Sequence, residues 1–108
     1  MILDPSTGLV ATSGNGVSTK AIANPKSFVT DWIEAELDGT QSTNGGSGPL
    51  THQWSQNPFS RKTGVITSAN SPTPVVVLSS GPGAYSFTLT VTDSNGTQSN
   101  DTATIILQ

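Results

Sequence analysis

Tyr85-Ser86-Phe87-Thr88-Leu89-Thr90-Val91-Thr92 alternates an apolar side chain with a hydroxyl side chain over all eight residues. A strand turns successive side chains to opposite faces, so an unbroken period of two specifies a half-buried β-strand. Tyr85, Phe87, Leu89 and Val91 face a core, and the intervening Ser and Thr residues face water. Asp93-Ser94-Asn95-Gly96 follows as a tight turn, in which Asn-Gly is the favoured type I′ pair. Beyond it, Ala103, Ile105 and Leu107 alternate with Thr102, Thr104 and Ile106 in a last strand.

Upstream, the same logic finds shorter strands. Ala21-Ile22-Ala23 is one, stopped by Asn24-Pro25, with Phe28-Val29 continuing it after a kink on a sheet edge, where Pro is tolerated. From Trp32 to Leu37, the apolar Ile33, Ala35 and Leu37 alternate with Glu34 and Glu36, and Asp38-Gly39 ends the strand. Gln41 to Pro49 is a polar, glycine-rich loop. Leu50, His52 and Trp54 share one face of the next strand, which Asn57-Pro58 breaks. Val65-Ile66-Thr67 and Thr73 to Leu78 are β-branched and apolar, and Ser79 to Gly83 is a turn. No stretch carries a helical period. Residues 1–19 are rich in Gly, Ser and Thr and read as a linker or a loosely attached edge segment, leaving 20–108 as one domain.

About seven short strands separated by turn signals point to a two-sheet sandwich. Trp54 near the middle, and Tyr85 opening the penultimate strand, match two features of immunoglobulin-like sandwiches: a buried Trp on the third strand and a tyrosine corner. The expected fold is therefore all-β, an immunoglobulin-like antiparallel sandwich with Greek-key connections. Its expected core is Ile22, Ile33, Ala35, Leu37, Leu50, Trp54, Val75, Val77, Tyr85, Phe87, Leu89, Val91, Ala103 and Ile105.

Three linked motifs resemble a PKD domain: Leu37-Asp38-Gly39-Thr40-Gln41-Ser42, Pro49-Leu50-Thr51-His52-Gln53-Trp54, and the run from Gly83 through Asp93 to Gly96. The resemblance covers residues 20–108. It departs from the family after Trp54, where an acidic, glycine-rich turn is usual and Ser55-Gln56-Asn57-Pro58-Phe59-Ser60-Arg61-Lys62 stands here. That places the chain with divergent PKD-like or REJ-like domains. The resemblance implies a non-catalytic extracellular or cell-surface module, of the kind found in bacterial surface proteins, adhesins and secreted enzymes. Such a module acts as a spacer or as a protein–protein or adhesion domain. The alternative is a carbohydrate-binding accessory module of a secreted polysaccharide-degrading enzyme or protease.

Composition narrows the function classes. Ser and Thr make up 31 of 108 residues, only four residues are Lys or Arg, and the net charge is −3. Phosphate backbones and anionic membrane surfaces both require a basic face, so neither nucleic acid nor a membrane is an expected partner. No apolar run approaches the ~20 residues of a membrane-spanning helix. Without cysteine, disulfides and thiolate chemistry are out of reach. The expected partners are neighbouring domains of the same polypeptide, with a protein or polysaccharide surface as a further ligand. The module is expected to be a monomer, exported by a signal peptide outside these residues.

Catalytic candidates are few. His52 is the one histidine, and it reads as a packed structural residue. A Gly-x-Ser-x-Gly elbow is absent, so a hydrolase triad has no anchor. Glu34 and Glu36 form a carboxylate pair on the wet face of a strand and read as solvated. The expectation is no catalytic residue, no cofactor and no metal. Loop oxygens of Asp38, Asp93, Asn95 and Asn44 suit calcium by type, but Asp38 and Asp93 read first as caps of their own turns. A Lys–Asn cross-link between Lys20 or Lys26 and Asn100 or Asp101 lacks the buried acid such chemistry uses. Asn95-Gly96-Thr97 and Asn100-Asp101-Thr102 fit the glycosylation sequon, as chance allows in so Thr-rich a chain. Trp32 and Phe59 adjoin turns and read as covers on the core edge, with sugar stacking or a protein contact as the alternative.

Overall fold

The computed structural model describes residues 18–46 and 48–108. The expected linker over 1–19 therefore lies outside the described residues, apart from Ser18 and Thr19. Among the described residues there are seven strands and no helix. In chain order they are β1 (Phe28–Thr30), β2 (Glu34–Glu36), β3 (Thr51–Gln56), β4 (Val65–Thr67), β5 (Val75–Val77), β6 (Gly83–Thr92) and β7 (Gln98–Leu107). One sheet has the order β1-β7-β6-β3 and the other β2-β5-β4. The chain passes between sheets after β1, β2, β3 and β5, as Greek-key sandwiches do. Every pairing between these strands is antiparallel except that of β1 with β7, which is parallel.

The alternating stretch forms the centre of the larger sheet. β6 and β7 pair in register from Gly83 opposite Leu107 to Thr92 opposite Gln98. The turn between them differs from the type I′ expectation. Gly96 donates to the Asp93 carbonyl at 3.0 Å, and Asp93 donates to the Thr97 carbonyl at 3.0 Å. Gly96 alone in that turn has positive φ, at 86°. That is a three-residue loop in which a glycine in the left-handed region closes a type I turn. Asp93 decides the difference, because its carboxylate holds the Asn95 and Thr97 N–H groups.

The core lies between the sheets. Trp54, Tyr85, Phe87, Leu89, Val91, Ala103, Ile105 and Leu37 are buried as expected, with Ala35 and Leu50 packed partly against them. Four expected core residues are corrected. Val76 and Leu78 are buried instead of Val75, which is 38% exposed, and Val77, which is half-buried. The run from Thr73 to Leu78 is apolar on both faces, so alternation alone did not choose the side. Pairing chose it: Val76 lies between Ala35 and Ile66, the inward residues of β2 and β4. Ile33 is 61% exposed, because it precedes β2 at the sheet's end, where its carbonyl accepts from Leu78 N–H at 2.6 Å. Ile22 is half-buried while Ala21 and Ala23 are buried.

That alanine pair is fixed by side chains of β7. The Ala21 N–H donates to Ser99 Oγ at 2.9 Å and the Ala23 N–H to Asp101 Oδ2 at 2.8 Å. Residues 21–23 accordingly form no ladder, only flanking bridges of Lys20 with Thr43 and Asn24 with Asp38. At Gly39 the backbone crosses the core so closely that a Cβ there would lie 2.8 Å from Leu89 Cδ2 and 3.3 Å from Trp54 Cζ2. Only glycine fits that approach without displacing either side chain.

Candidate functional site

Of the oxygen-bearing candidates, Asp38, Asp93 and Asn44 accept hydrogen bonds through their side chains. Asp38 Oδ1 accepts from the Thr40 N–H at 2.8 Å and from the Thr40 hydroxyl at 2.6 Å. These bonds, the hydroxyl's first, lower its pKa below the usual carboxylate value against a smaller opposing effect of burial. Asp93 Oδ1 accepts from Asn95 and Thr97 N–H, and its Oδ2 accepts from the Thr19 hydroxyl at 2.5 Å. The Thr19 hydroxyl does most to lower the Asp93 pKa; burial opposes it, and the two backbone donors assist. Asn44 closes its own loop, donating to the Gly48 carbonyl and accepting from Gly46 N–H. Both aspartates cap turns, as the sequence reading placed them first.

The structure does not bring Asp38 and Asp93 to one level. Gly46 lies against the Asp93 carboxylate, whereas Gly39, next to Asp38, lies over Leu89, four residues earlier on β6. Among the described residues no group of three or more His, Asp and Glu side chains gathers within reach of one ion.

Lys26 meets Asp101, not Asn100, in an ion pair. Burial tends to raise the Asp101 pKa. The Lys26 hydrogen bond, the Ala23 and Thr102 N–H groups and the Lys26 charge together outweigh it, and the net shift is downward. Glu34 and Glu36 lie exposed in the other sheet, so neither serves as an acid beside this pair. His52 is half-buried opposite Val91, with Gly39 against its ring. It borders an open groove of about 560 Å³ with Leu50, Asn70 and Pro72.

Two further features stand out. Trp32 is 78% and Phe59 91% exposed; neither covers the core edge as expected. A second groove, of about 390 Å³, runs between Lys20–Lys26 and the start of β7. Sequence reasoning missed it, because its two walls are far apart in the chain; the Ser99 and Asp101 bonds to residues 78 and 75 positions away help to bring them together.

The tyrosine corner is present: the Tyr85 hydroxyl donates to the Gly81 carbonyl at 2.7 Å and accepts from Ser80 N–H at 2.8 Å. Similar solved structures share this architecture. The PKD domain of the KIAA 1837 protein is 27% identical, with a TM-score of 0.67 over 86% of this chain and 89% of that one. The PKD domain of human KIAA0319 is 14% identical, with a TM-score of 0.57 over 91% of this chain and 89% of that one. A nucleoside hydrolase-related hypothetical protein from Saccharophagus degradans, described as associated with carbohydrate metabolism, is 17% identical with a TM-score of 0.68. The match takes in 82% of this chain but 25% of that protein, so the likeness concerns one part of it and its fold alone. No curated protein matches the chain. The K319L-like PKD domain family matches residues 20–107, the stretch that holds both sheets, Trp54 and the Tyr85 corner: the chain belongs to that family.

Proposed function

We propose that this chain is a non-catalytic spacer module of a larger extracellular or cell-surface protein, separating its neighbours along one polypeptide. The observation that carries this reading is where the ends of the family-matched stretch lie. Thr19 and Lys20 sit beside Asp93 and Thr43 at one pole. Gln108 donates to the Thr30 carbonyl at the other. Between them β7 runs ten residues, roughly 33 Å at the usual strand rise. Such a fold adds length to a chain instead of folding it back. The hydroxyl-covered strand faces and the turn-capping aspartates are in keeping with a mechanical role.

The test is replacement in the parent protein. An unrelated β-sandwich of equal pole-to-pole length should restore what deletion of this module removes. Restoration by the native sequence alone would overturn the spacer reading.

A second reading, an accessory carbohydrate-binding module, draws on the exposed rings of Trp32 and Phe59, which are free to stack on sugars. Depletion of the module from solution by insoluble polysaccharide, lost in Trp32→Ala or Phe59→Ala, favours this second reading. No depletion leaves the spacer.

A further inference from the structure

Phe28 and Val29 are each 49% exposed, Ile33 61% and Trp32 78%. Trp32 and Ile33 form an apolar patch at the lead into β2, and such patches mark contact surfaces, while Phe28 and Val29 are successive residues of β1 and face opposite sides of it. The patch sits at the pole where the chain leaves: Trp32 N–H donates to Thr30 Oγ1, and Gln108 N–H donates to the Thr30 carbonyl. Asp31 and Glu34 flank it in sequence, both exposed, and no ion pair or hydrogen bond engages their side chains among the described residues. The patch is therefore a ring-bearing knob with an acidic rim.

The groove at Lys20–Lys26 is its complement. Ala21 and Ile22 give it apolar lining, and of its two lysines Lys26 is already paired with Asp101, which lines the groove too. At about 390 Å³ it falls within the size range of clefts that enclose organic groups. Lys20 is exposed and has no ion pair among the described residues. An indole seated there gains cation–π attraction from the Lys20 ammonium group, and the acidic rim meets the same positive charge.

We infer that the occupant of this patch is a second copy of the module, with Trp32 of one copy seated in the Lys20–Lys26 groove of the next. Knob and groove are different surfaces toward opposite poles, so the contact is heterologous and head-to-tail. It continues the pole-to-pole direction of the chain. The area is small, so the pairing is weak. It matters where copies are held at millimolar effective concentration, as on one polypeptide or a crowded surface, and the dilute module is a monomer.

An amide-resolved NMR concentration series on the isolated protein, up to about 1 mM, tests this. Expected are concentration-dependent shifts in two sets of amides together, Phe28–Glu36 and the Lys20–Lys26 groove with Ser99–Asp101, weakening as salt is added. Trp32→Ser and Lys20→Glu should each abolish them without disturbing the other amides. Mixing the two variants should bring back one set in each partner, as a one-to-one pair, because each keeps the surface the other lacks. Absence of concentration dependence, shifts confined to one of the two sets, or a mixture that behaves as the sum of its parts overturns the inference. The spacer reading does not depend on this contact and survives its failure.

Discussion

The Tyr85 hydroxyl and the Gly81 carbonyl lie 2.7 Å apart, and this bond closes the turn that leads the chain into its longest ladder. The ring below that hydroxyl is fully buried between the sheets. One residue thus ties core packing to loop geometry. Tyr85→Phe keeps the ring but strands the Ser80 N–H and the Gly81 carbonyl. It should cost about 1–3 kcal/mol in a denaturant titration with an unchanged m-value.

Trp54 is 1% exposed, and its indole Nε1 has no hydrogen-bond partner. Its contribution is therefore packing, not polar anchoring. Trp54→Ala should cost about 3–5 kcal/mol through lost contact and residual cavity. Trp54→Phe, which removes no hydrogen bond, should recover more than half of that loss. Equal costs for the two variants would mean that the indole N–H has a partner after all.

The reassigned face of β5 makes an equally sharp comparison. Val76→Thr places a hydroxyl among Ala35, Ile66 and the core and should cost about 1–3 kcal/mol. Val75→Thr sits on the partly exposed face and should stay within about 0.5 kcal/mol. The reverse ordering in thermal or chemical unfolding would restore the original face.

Acid should weaken the module through Asp38, Asp93 and Asp101. The folded pKa values of Asp38, Asp93 and Asp101 all lie below the ordinary carboxylate value. The unfolded chain therefore binds protons first as pH falls. The stability these groups contribute is present above about pH 4 and is lost as pH drops through their folded values. Asp93→Asn should lower stability at pH 7 and flatten its fall on acidification. Unfolding midpoints measured from pH 7 to pH 2 check both.

Much of the fold was legible because β6 and β7 write their burial in an uninterrupted period of two, from Tyr85 to Val91 and from Ala103 to Leu107. Trp54 and Tyr85 were legible because few other aromatic residues compete for the inside. Val76 was not, since a run of valines carries no polar phase to mark its wet side. Ala21 and Ala23 were hidden for another reason: small residues mark close backbone approach, and the partners that fix them, Ser99 and Asp101, lie 78 positions away. Asp38 and Asp93 were readable as caps because the bonding is local. The groove between Lys20–Lys26 and β7, and the exposure of Trp32, are products of tertiary assembly that no local pattern announces.

The cysteine-free chain allows a direct measurement of pole-to-pole distance. Ser18→Cys and Gln108→Cys, both at exposed positions, take spin labels without background. Pulsed electron resonance should give one narrow distance distribution centred at roughly 30–40 Å, the length of the ten-residue ladder plus its ends. A short separation, or a broad distribution spanning both, would show that the two ends are not held apart by a single rigid sandwich.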